Sequence, residues 1–494
     1  MSLSRNYLAG LANSVWSALI GLAVVPFYLK YLGIEAYGLV GFFVTTQALL
    51  QLLDMGMSST INREVARCSA SGDFKEASKL LSTLAIIYWS MAGAIVLLII
   101  VLASWIAEYW LQPEHLSQQT IKHAVILMGM VVACRWPIAL YQGVLVGAQR
   151  IVLSSSINMV MITFGNLGAV AVLAFASPTI EAFFAWQASV GIVYTNVMRL
   201  VAWRVIGHKP ANHFDVSDIK RILNFSFGVG AVSIAGLVLS QADKIILSKT
   251  IGLESFGRYM LATLVAGSLY FLIAPAFNIM YPRFSSLVAQ SALDELLKQF
   301  SNFTHLLATM LFPTAMMMIL LSQPLIQLWT GDIALATNVA PLASLILAGY
   351  ALHGVMHAPY ALMLAQGEIK SMYTIYVFLI FVSVPLTVIL SLRYGAVGGA
   401  MSQLLLFIFY VLFGTWIAHK KIIKGYAQRW LFKDVGVPFG ISIFIGAVGY
   451  RIVPMMGGVM YIKILSGFVL WGVATFLSVL SAQSSRSFCA RYWN

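Results

Sequence analysis

The chain is poor in charge. Only 10% of its 494 residues are Asp, Glu, Lys or Arg, and carboxylates are the scarcer kind, 17 against 30 basic residues. A soluble domain keeps about 25% of its residues charged to wet its surface, so a globule in water is excluded. With 60% hydrophobic residues, the apolar content exceeds what a body of this size can hide, and lipid must be the solvent. Cysteine is nearly missing: Cys68, Cys134 and Cys489 lie far apart with no CxxC or metal spacing, which removes a disulfide framework and a thiolate metal centre. The dipeptide Gly-Lys never occurs, so an ATP-driven motor would need its phosphate cradle on a partner. Long polar stretches are absent too. The longest segments outside apolar runs, 61–79, 204–222, 282–300 and 419–435, are too short for a soluble catalytic domain. A membrane-embedded enzyme needs an acid, base or nucleophile on a sizeable loop. In the 105–121 loop, His115 stands alone. The chain is therefore read as a non-enzyme without cofactor or metal.

What is present is a series of apolar runs of the length that crosses a hydrocarbon layer, about 20 residues each. Eight lie near 7–29, 36–60, 80–104, 122–146, 153–176, 182–203, 223–247 and 259–281. Six more lie near 301–321, 339–363, 372–392, 397–418, 436–453 and 460–481. The fold class is an all-α polytopic membrane protein of about 14 transmembrane helices. The first run, from Tyr7, is too long for a signal peptide. The 12 Trp and 21 Tyr suit interfacial belts. Lys and Arg sit in the short connections, 21 on the side of the N-terminus against 7 on the other, which predicts cytoplasmic N- and C-termini. That distribution explains the formal charge of +13 without nucleic acid. Residues 215–224 and the stretch Leu293–Phe300 are expected to form helices lying along the inner face.

The sequence also repeats itself. Tyr31-Leu-Gly-Ile-Glu-Ala-Tyr-Gly38 recurs as Thr250-Ile-Gly-Leu-Glu-Ser-Phe-Gly257, Arg63 is matched by Arg283, and Gly147-Ala-Gln-Arg150 by Gly367-Glu-Ile-Lys370, all about 220 residues apart. The period holds six spans, an even number, so both copies enter the membrane in the same orientation. This predicts a first lobe over 1–208, a second over 209–425, and an added helix pair with a tail over 426–494. Two such lobes can rock about a central cleft and expose it alternately to each side.

Several of these segments resemble the polysaccharide-exporter branch of the multidrug/oligosaccharidyl-lipid/polysaccharide superfamily. They are the turn at 31–38, Leu53-Asp-Met-Gly-Met57 before Asn62-Arg63-Glu64, and Gln241-Ala-Asp-Lys244 followed by Gly252 and Phe256-Gly257-x-Tyr259. The Gly147-x-x-Arg150 loop and Tyr394-Gly-Ala-Val-Gly-Gly-Ala400 are similar too. The resemblance, which covers essentially the whole chain, implies a V-shaped fold in a bacterial inner membrane. It implies a cavity lined by the first two helices of each lobe, and flipping of undecaprenyl-diphosphate-linked oligosaccharide, an O-antigen or similar repeat unit, to the periplasmic leaflet. It also implies a polysaccharide polymerase and a chain-length regulator as partners. The added helix pair leaves open a relation to fourteen-span peptidoglycan-precursor (lipid II) flippases.

A charge at the bilayer centre costs about 2.5–3.5 kcal/mol on insertion scales, so each one calls for a reason. Arg135, in Cys134-Arg-Trp-Pro137, either attracts a diphosphate or acidic sugar as a bidentate donor or pairs with a carboxylate such as Asp54. Lys244 is the second candidate substrate contact, with Asp243 as its electrostatic or gating neighbour. The two are about 100° apart around a helix and are expected to point in different directions. Asp54 is a candidate coupling ion site, a gate, or an interface residue. Arg63 and Arg283 are expected to gather an anionic headgroup at the cytoplasmic mouth, a placement that topology alone also explains. His353 and His357, one turn apart, permit metal binding but lack an acidic third ligand, and packing is the preferred reading. Asn13, Ser14, Asn158, Asn166 and Asn196 either line a sugar-binding lumen or join helices.

Without a nucleotide site, an ion gradient or the membrane potential is the expected energy source, at about 2.3 kcal/mol per charge per 100 mV. A multidrug cation extruder is the rival within the same superfamily. It favours carboxylates in its cavity, whereas the first span here has none.

Overall fold

The computed structural model describes residues 3–54, 56–207, 234–421, 427–455 and 460–492. The expected inner-face helix at 215–224 and the start of the seventh span lie outside these residues.

Among the described residues the protein is helical and has no strand. That follows from the solvent: in lipid every backbone N–H and C=O must be satisfied within its own segment. The helices are α1 (Leu3–Leu50), a 3₁₀ turn (Gln51–Asp54), α2 (Met57–Ser71), α3 (Lys75–Trp105), α4 (Gln118–Arg135), α5 (Ile138–Gly147), α6 (Ile151–Phe175) and α7 (Ile180–Ile206). They continue as α8 (234–250), α9 (Leu253–Gly267), α10 (Tyr270–Ala289), α11 (Leu293–Leu320), α12 (Ser322–Thr330), α13 (Ile333–Val355) and α14 (His357–Ala365). Last come α15 (Ile369–Lys421), α16 (Ala427–Arg429), α17 (Gly436–Met455) and α18 (Met460–Tyr492).

Nine of these stretches are long and apolar enough to cross a bilayer, or ten with the bent pair α9–α10. Two of them, Arg5–Asp54 and Ile369–Ile417, have 50 and 49 residues, twice the length a span requires. Each is broken once, at Gly33 (φ 79°) and at Gly395 (φ 58°), where only glycine turns the chain without strain. With α7 and α8 added, the helices accommodate the expected passes, so the loop anticipated between the first two runs is a single glycine corner. Large apolar side chains stand on the outer surface, Val101 at 76% and Phe175 at 91% exposure. Such a surface is stable only against lipid.

The residues divide into two compact units, Met1–Leu237 with Gly252–Gly257, and Val238–Ile251 with Arg258–Asn494. In the first, α1 packs on α6, α4 on α3 and α7, and α2 on α5. The α2–α5 contact is made by Gly143 and Gly147. A methyl group on either would collide with the Ser58 or Asn62 carbonyl, so the two backbones touch in the manner of small-xxx-small packing. In the second, α13 packs on α15 and α11, and α17 and α18 pack on α11. Element order recurs about 220 residues on. The helix interrupted at Trp136–Pro137 (α4–α5) is followed by its counterpart interrupted at Met356 (α13–α14), where Pro359 stands in the first turn. Each proline lacks an N–H and crowds the carbonyl four residues back, which ends the preceding helix. The stretch Leu293–Phe300, expected to lie flat, is instead the first two turns of α11, because no Gly or Pro separates it from the apolar run that follows.

Candidate functional site

In the first unit the Trp136–Pro137 break makes Arg135 the last residue of α4. The carbonyl of Cys134 is taken up by the Thr195 hydroxyl of α7, a substitute partner of the kind that lets proline breaks persist in membranes. The Arg135 stem lies over Gly191, where any side chain would press against it, and the guanidinium donates to Gln187 Oε1. Gln187 is buried and passes its own amide to the Gly165 carbonyl of α6 at 3.3 Å. The charge is therefore anchored on a neutral acceptor.

Arg135 lines a cavity of about 90 Å³ together with Gln47, Gln51, Asp54, Tyr88 and Trp136. Asp54 accepts hydrogen bonds from the Tyr88 hydroxyl and from Ser58 Oγ at 2.8 Å. The anticipated Arg135–Asp54 ion pair is not formed: Tyr88 and Ser58 hold the carboxylate while Gln187 draws the guanidinium away. Other polar residues sort into two sets. Asn158 donates to Asn13 Oδ1 at 2.8 Å and accepts from Tyr194 at 2.7 Å, and Tyr28 donates to Asn166 Oδ1 at 3.1 Å, tying α6 to α1 and α7. Ser14 and Asn196 donate to carbonyls of their own helices and stay exposed.

In the second unit Asp243 and Lys244, at 1% and 8% exposure, sit on α8. Lys244 Nζ lies 3.3 Å from Asp243 Oδ1 and 2.7 Å from the Ser240 carbonyl, while the Tyr259 hydroxyl donates to Asp243 Oδ2 at 2.5 Å. The expectation that the two point apart fails here. A four-carbon lysine stem folds back along its helix far enough to cancel the angular separation of the Cα–Cβ bonds. Lys244 is thus an internally compensated charge.

Arg63 on α2 and Arg283 on α10 are both exposed, each within its own unit. His353 Nδ1 meets the Tyr270 hydroxyl at 2.7 Å, and the His353 and His357 rings are 4.9 Å apart among aromatic neighbours. His115 does not stand alone: it lies 3.7 Å from Glu254, and with Glu114 the three offer ligand atoms within 4.8 Å of one another, mostly at the surface. Glu35, matched with Glu254 only as a repeat landmark, is buried. It accepts the backbone N–H groups of Glu114, His115 and Leu116 at 2.7–3.3 Å.

The second unit also holds a cavity of about 1310 Å³, lined by Phe312 and Met316 of α11, Leu352 of α13, Ile408 of α15 and Phe439 and Ile443 of α17. No sequence signal pointed to it, because α17 reads as any other apolar span and its partners lie up to about 130 residues away.

Residues 3–288 match the family described as "Polysaccharide biosynthesis protein". The chain belongs to that family. Among curated relatives, the "Putative O-antigen transporter" of Shigella flexneri is 22% identical over 421 residues, 82% of this chain and 96% of the relative. The protein of the same name from Escherichia coli K12 is 28% identical over 296 residues, 58% and 66%. Of solved structures, a lipid II flippase, MurJ, in an inward closed conformation superposes with a TM-score of 0.70 at 13% identity, covering 96% of this chain and 98% of that one. An inward-facing multidrug transporter of the MATE family gives 0.61 at 15% identity, covering 86% and 97%. At these identities the structures share the fold. This member of the polysaccharide biosynthesis family is therefore a multi-pass membrane protein with the flippase-type helical fold.

Proposed function

We propose that the protein is a flippase that carries an undecaprenyl-diphosphate-linked oligosaccharide from the cytoplasmic to the periplasmic leaflet of a bacterial inner membrane. It works by alternating access, on an ion gradient or the membrane potential. The observation that carries this reading is Arg135: an intramembrane guanidinium whose partner is the neutral Gln187, beside a cavity. A fixed cation that is hydrogen-bonded to a neutral acceptor, with Asp54 of the same cavity held by Tyr88 and Ser58 instead, favours an anionic headgroup. The apolar cavity against α17 adds support. At about 1310 Å³ it exceeds the range of about 300–1,000 Å³ usual for small-ligand pockets, and its apolar lining suits a length of polyprenyl chain.

In this reading Arg135 engages the diphosphate, Arg63 and Arg283 gather the headgroup on the cytoplasmic side, and Lys244 contacts substrate only when its pair with Asp243 opens. Asp243 then gates, and Asp54, held by Tyr88 and Ser58, is a coupling or gating carboxylate. Neither role is catalytic. A polymerase and a chain-length regulator would receive the product.

The test is complementation of a panel of bacterial strains, each lacking its own repeat-unit flippase. Restored surface polysaccharide in at least one strain is expected. No restoration in any strain, together with drug sensitivity and unaltered polysaccharide on deleting this gene, would establish the cation-extruder reading instead.

A further inference from the structure

The imidazoles of His353 and His357 are among the titratable groups that the flipping account leaves without a task. They flank the α13–α14 break, one turn apart, with ring centroids 4.9 Å from each other. The nitrogen assignments follow from their partners. The His353 carbonyl only accepts, so His357 Nδ1, 3.2 Å away, carries its hydrogen and leaves Nε2 with a lone pair. His353 shares its Nδ1 with the Tyr270 hydroxyl at 2.7 Å, a contact through which a proton can pass.

The surroundings are aromatic. The ring of Tyr270 stands 6.1 Å from His357 at 79°, Phe277 6.1 Å at 84°, and Tyr360 6.4 Å at 65°. Steeply inclined rings of this kind surround the imidazole with aromatic side chains instead of counter-charges. The facing titratable groups are tyrosines: Tyr270 from α10 and Tyr410 from α15 against the histidines, with Tyr376 of α15 behind Tyr360. From α11, Leu311 faces the segment at Gly354, and His305 is turned to the Ser478 carbonyl at 3.1 Å. The segment α12 carries no titratable side chain. Among the described residues no carboxylate or ammonium touches either histidine. The carboxylate of Asp243 is tied to Tyr259, and the ring of Tyr350 packs on Tyr270 at 5.7 Å.

We propose that His353 and His357 form a proton-binding site inside the second unit, and that loading and emptying it couples transport to the proton gradient. A proton taken from water adds to the Nε2 lone pair of His357, giving an imidazolium, and returns to water when the site empties. Intramembrane histidines are a recurrent material for such relays. This rests on the flipping reading and names its driving ion.

The experiment uses the full chain in proteoliposomes and a fluorescent undecaprenyl-diphosphate oligosaccharide as probe, with an imposed proton gradient and the potential clamped. A roughly ten-fold stimulation by the gradient is expected, equivalent to about 1.4 kcal/mol, and His357→Gln is expected to lose that stimulation. Tyr270→Phe, which keeps the ring and removes the hydroxyl at His353, is expected to shift the pH of half-maximal stimulation by about half a unit, and it decides the matter if His357→Gln does not reach the membrane. Flipping that ignores the gradient, stimulation retained in His357→Gln, or an unmoved midpoint in Tyr270→Phe would overturn the proton site and leave the flippase reading intact. No flipping by the native chain would remove the flippase reading itself.

Discussion

In the first unit the intramembrane cation, Arg135, ends on the amide oxygen of Gln187 at the wall of a cavity. In the second, Lys244 ends on the carboxylate of Asp243 and is almost wholly enclosed. The units share an order of elements and a period of about 220 residues, so this difference is not one of architecture. It lies in what the neighbouring helices supply. Across α4, the segment α7 offers a glycine at 191 and a neutral glutamine at 187; beside Lys244, its own helix offers an aspartate, and α9 adds a tyrosine to that aspartate. A charge paired in this way is compensated within its unit and is costly to unpair, while a charge hydrogen-bonded to a neutral acceptor has no such direct counter-ion.

Three substitutions probe that contrast, in descending order of expected effect. Asp243→Asn leaves Lys244 buried without its counter-charge and should cost about 3–5 kcal/mol, read as a fall in thermal stability and membrane abundance. The double variant Asp243→Asn with Lys244→Met should recover most of that loss. Equal stability of the single and double variants would mean that the pair is not internally compensated. Arg135→Ala should reduce polysaccharide export about ten-fold or more, an effect of at least about 1.4 kcal/mol, with abundance within two-fold of the native level, checked on one immunoblot beside the export assay. If abundance falls in step with export, Arg135 is structural like Lys244 and the contrast disappears. Thr195→Val removes the hydroxyl at the Cys134 carbonyl and should cost about 1 kcal/mol of stability, with a small loss of export through a looser Arg135. An unchanged melting temperature would show that the break needs no such partner.

How far the sequence foretold this arrangement depends on the range of the interaction. The corner at Gly33, within the repeated turn at 31–38, was legible locally because glycine carries that conformation in its own covalent structure, whereas the run at 122–146 reads by hydropathy as one uninterrupted span despite the break at Pro137. The intramembrane position of Arg135 was legible as well, since a charge in an apolar run stands out. Its partner was not, because Gln187 lies 52 residues away and nothing in its own stretch marks it. The Asp243–Lys244 pair was misread for a different reason: helical angle describes Cα–Cβ directions, whereas a lysine places its charge by four further rotatable bonds. The role of α17 in the apolar cavity depends on packing across α11, α13 and α15, which hydropathy does not encode.

The central claim is that Arg135 presents its charge to an anionic, lipid-linked headgroup in the structure as it stands, while Lys244 can do so only after its pair with Asp243 opens. It is tested most directly by binding of undecaprenyl-diphosphate oligosaccharide to the purified protein and to two variants, Arg135→Gln and the charge-neutral pair Asp243→Asn with Lys244→Met. The account predicts affinity weakened about ten-fold or more, some 1.4 kcal/mol, in the first variant, and by less than about two-fold in the second. Native affinity in Arg135→Gln, or the larger loss in the charge-neutral pair, would contradict it.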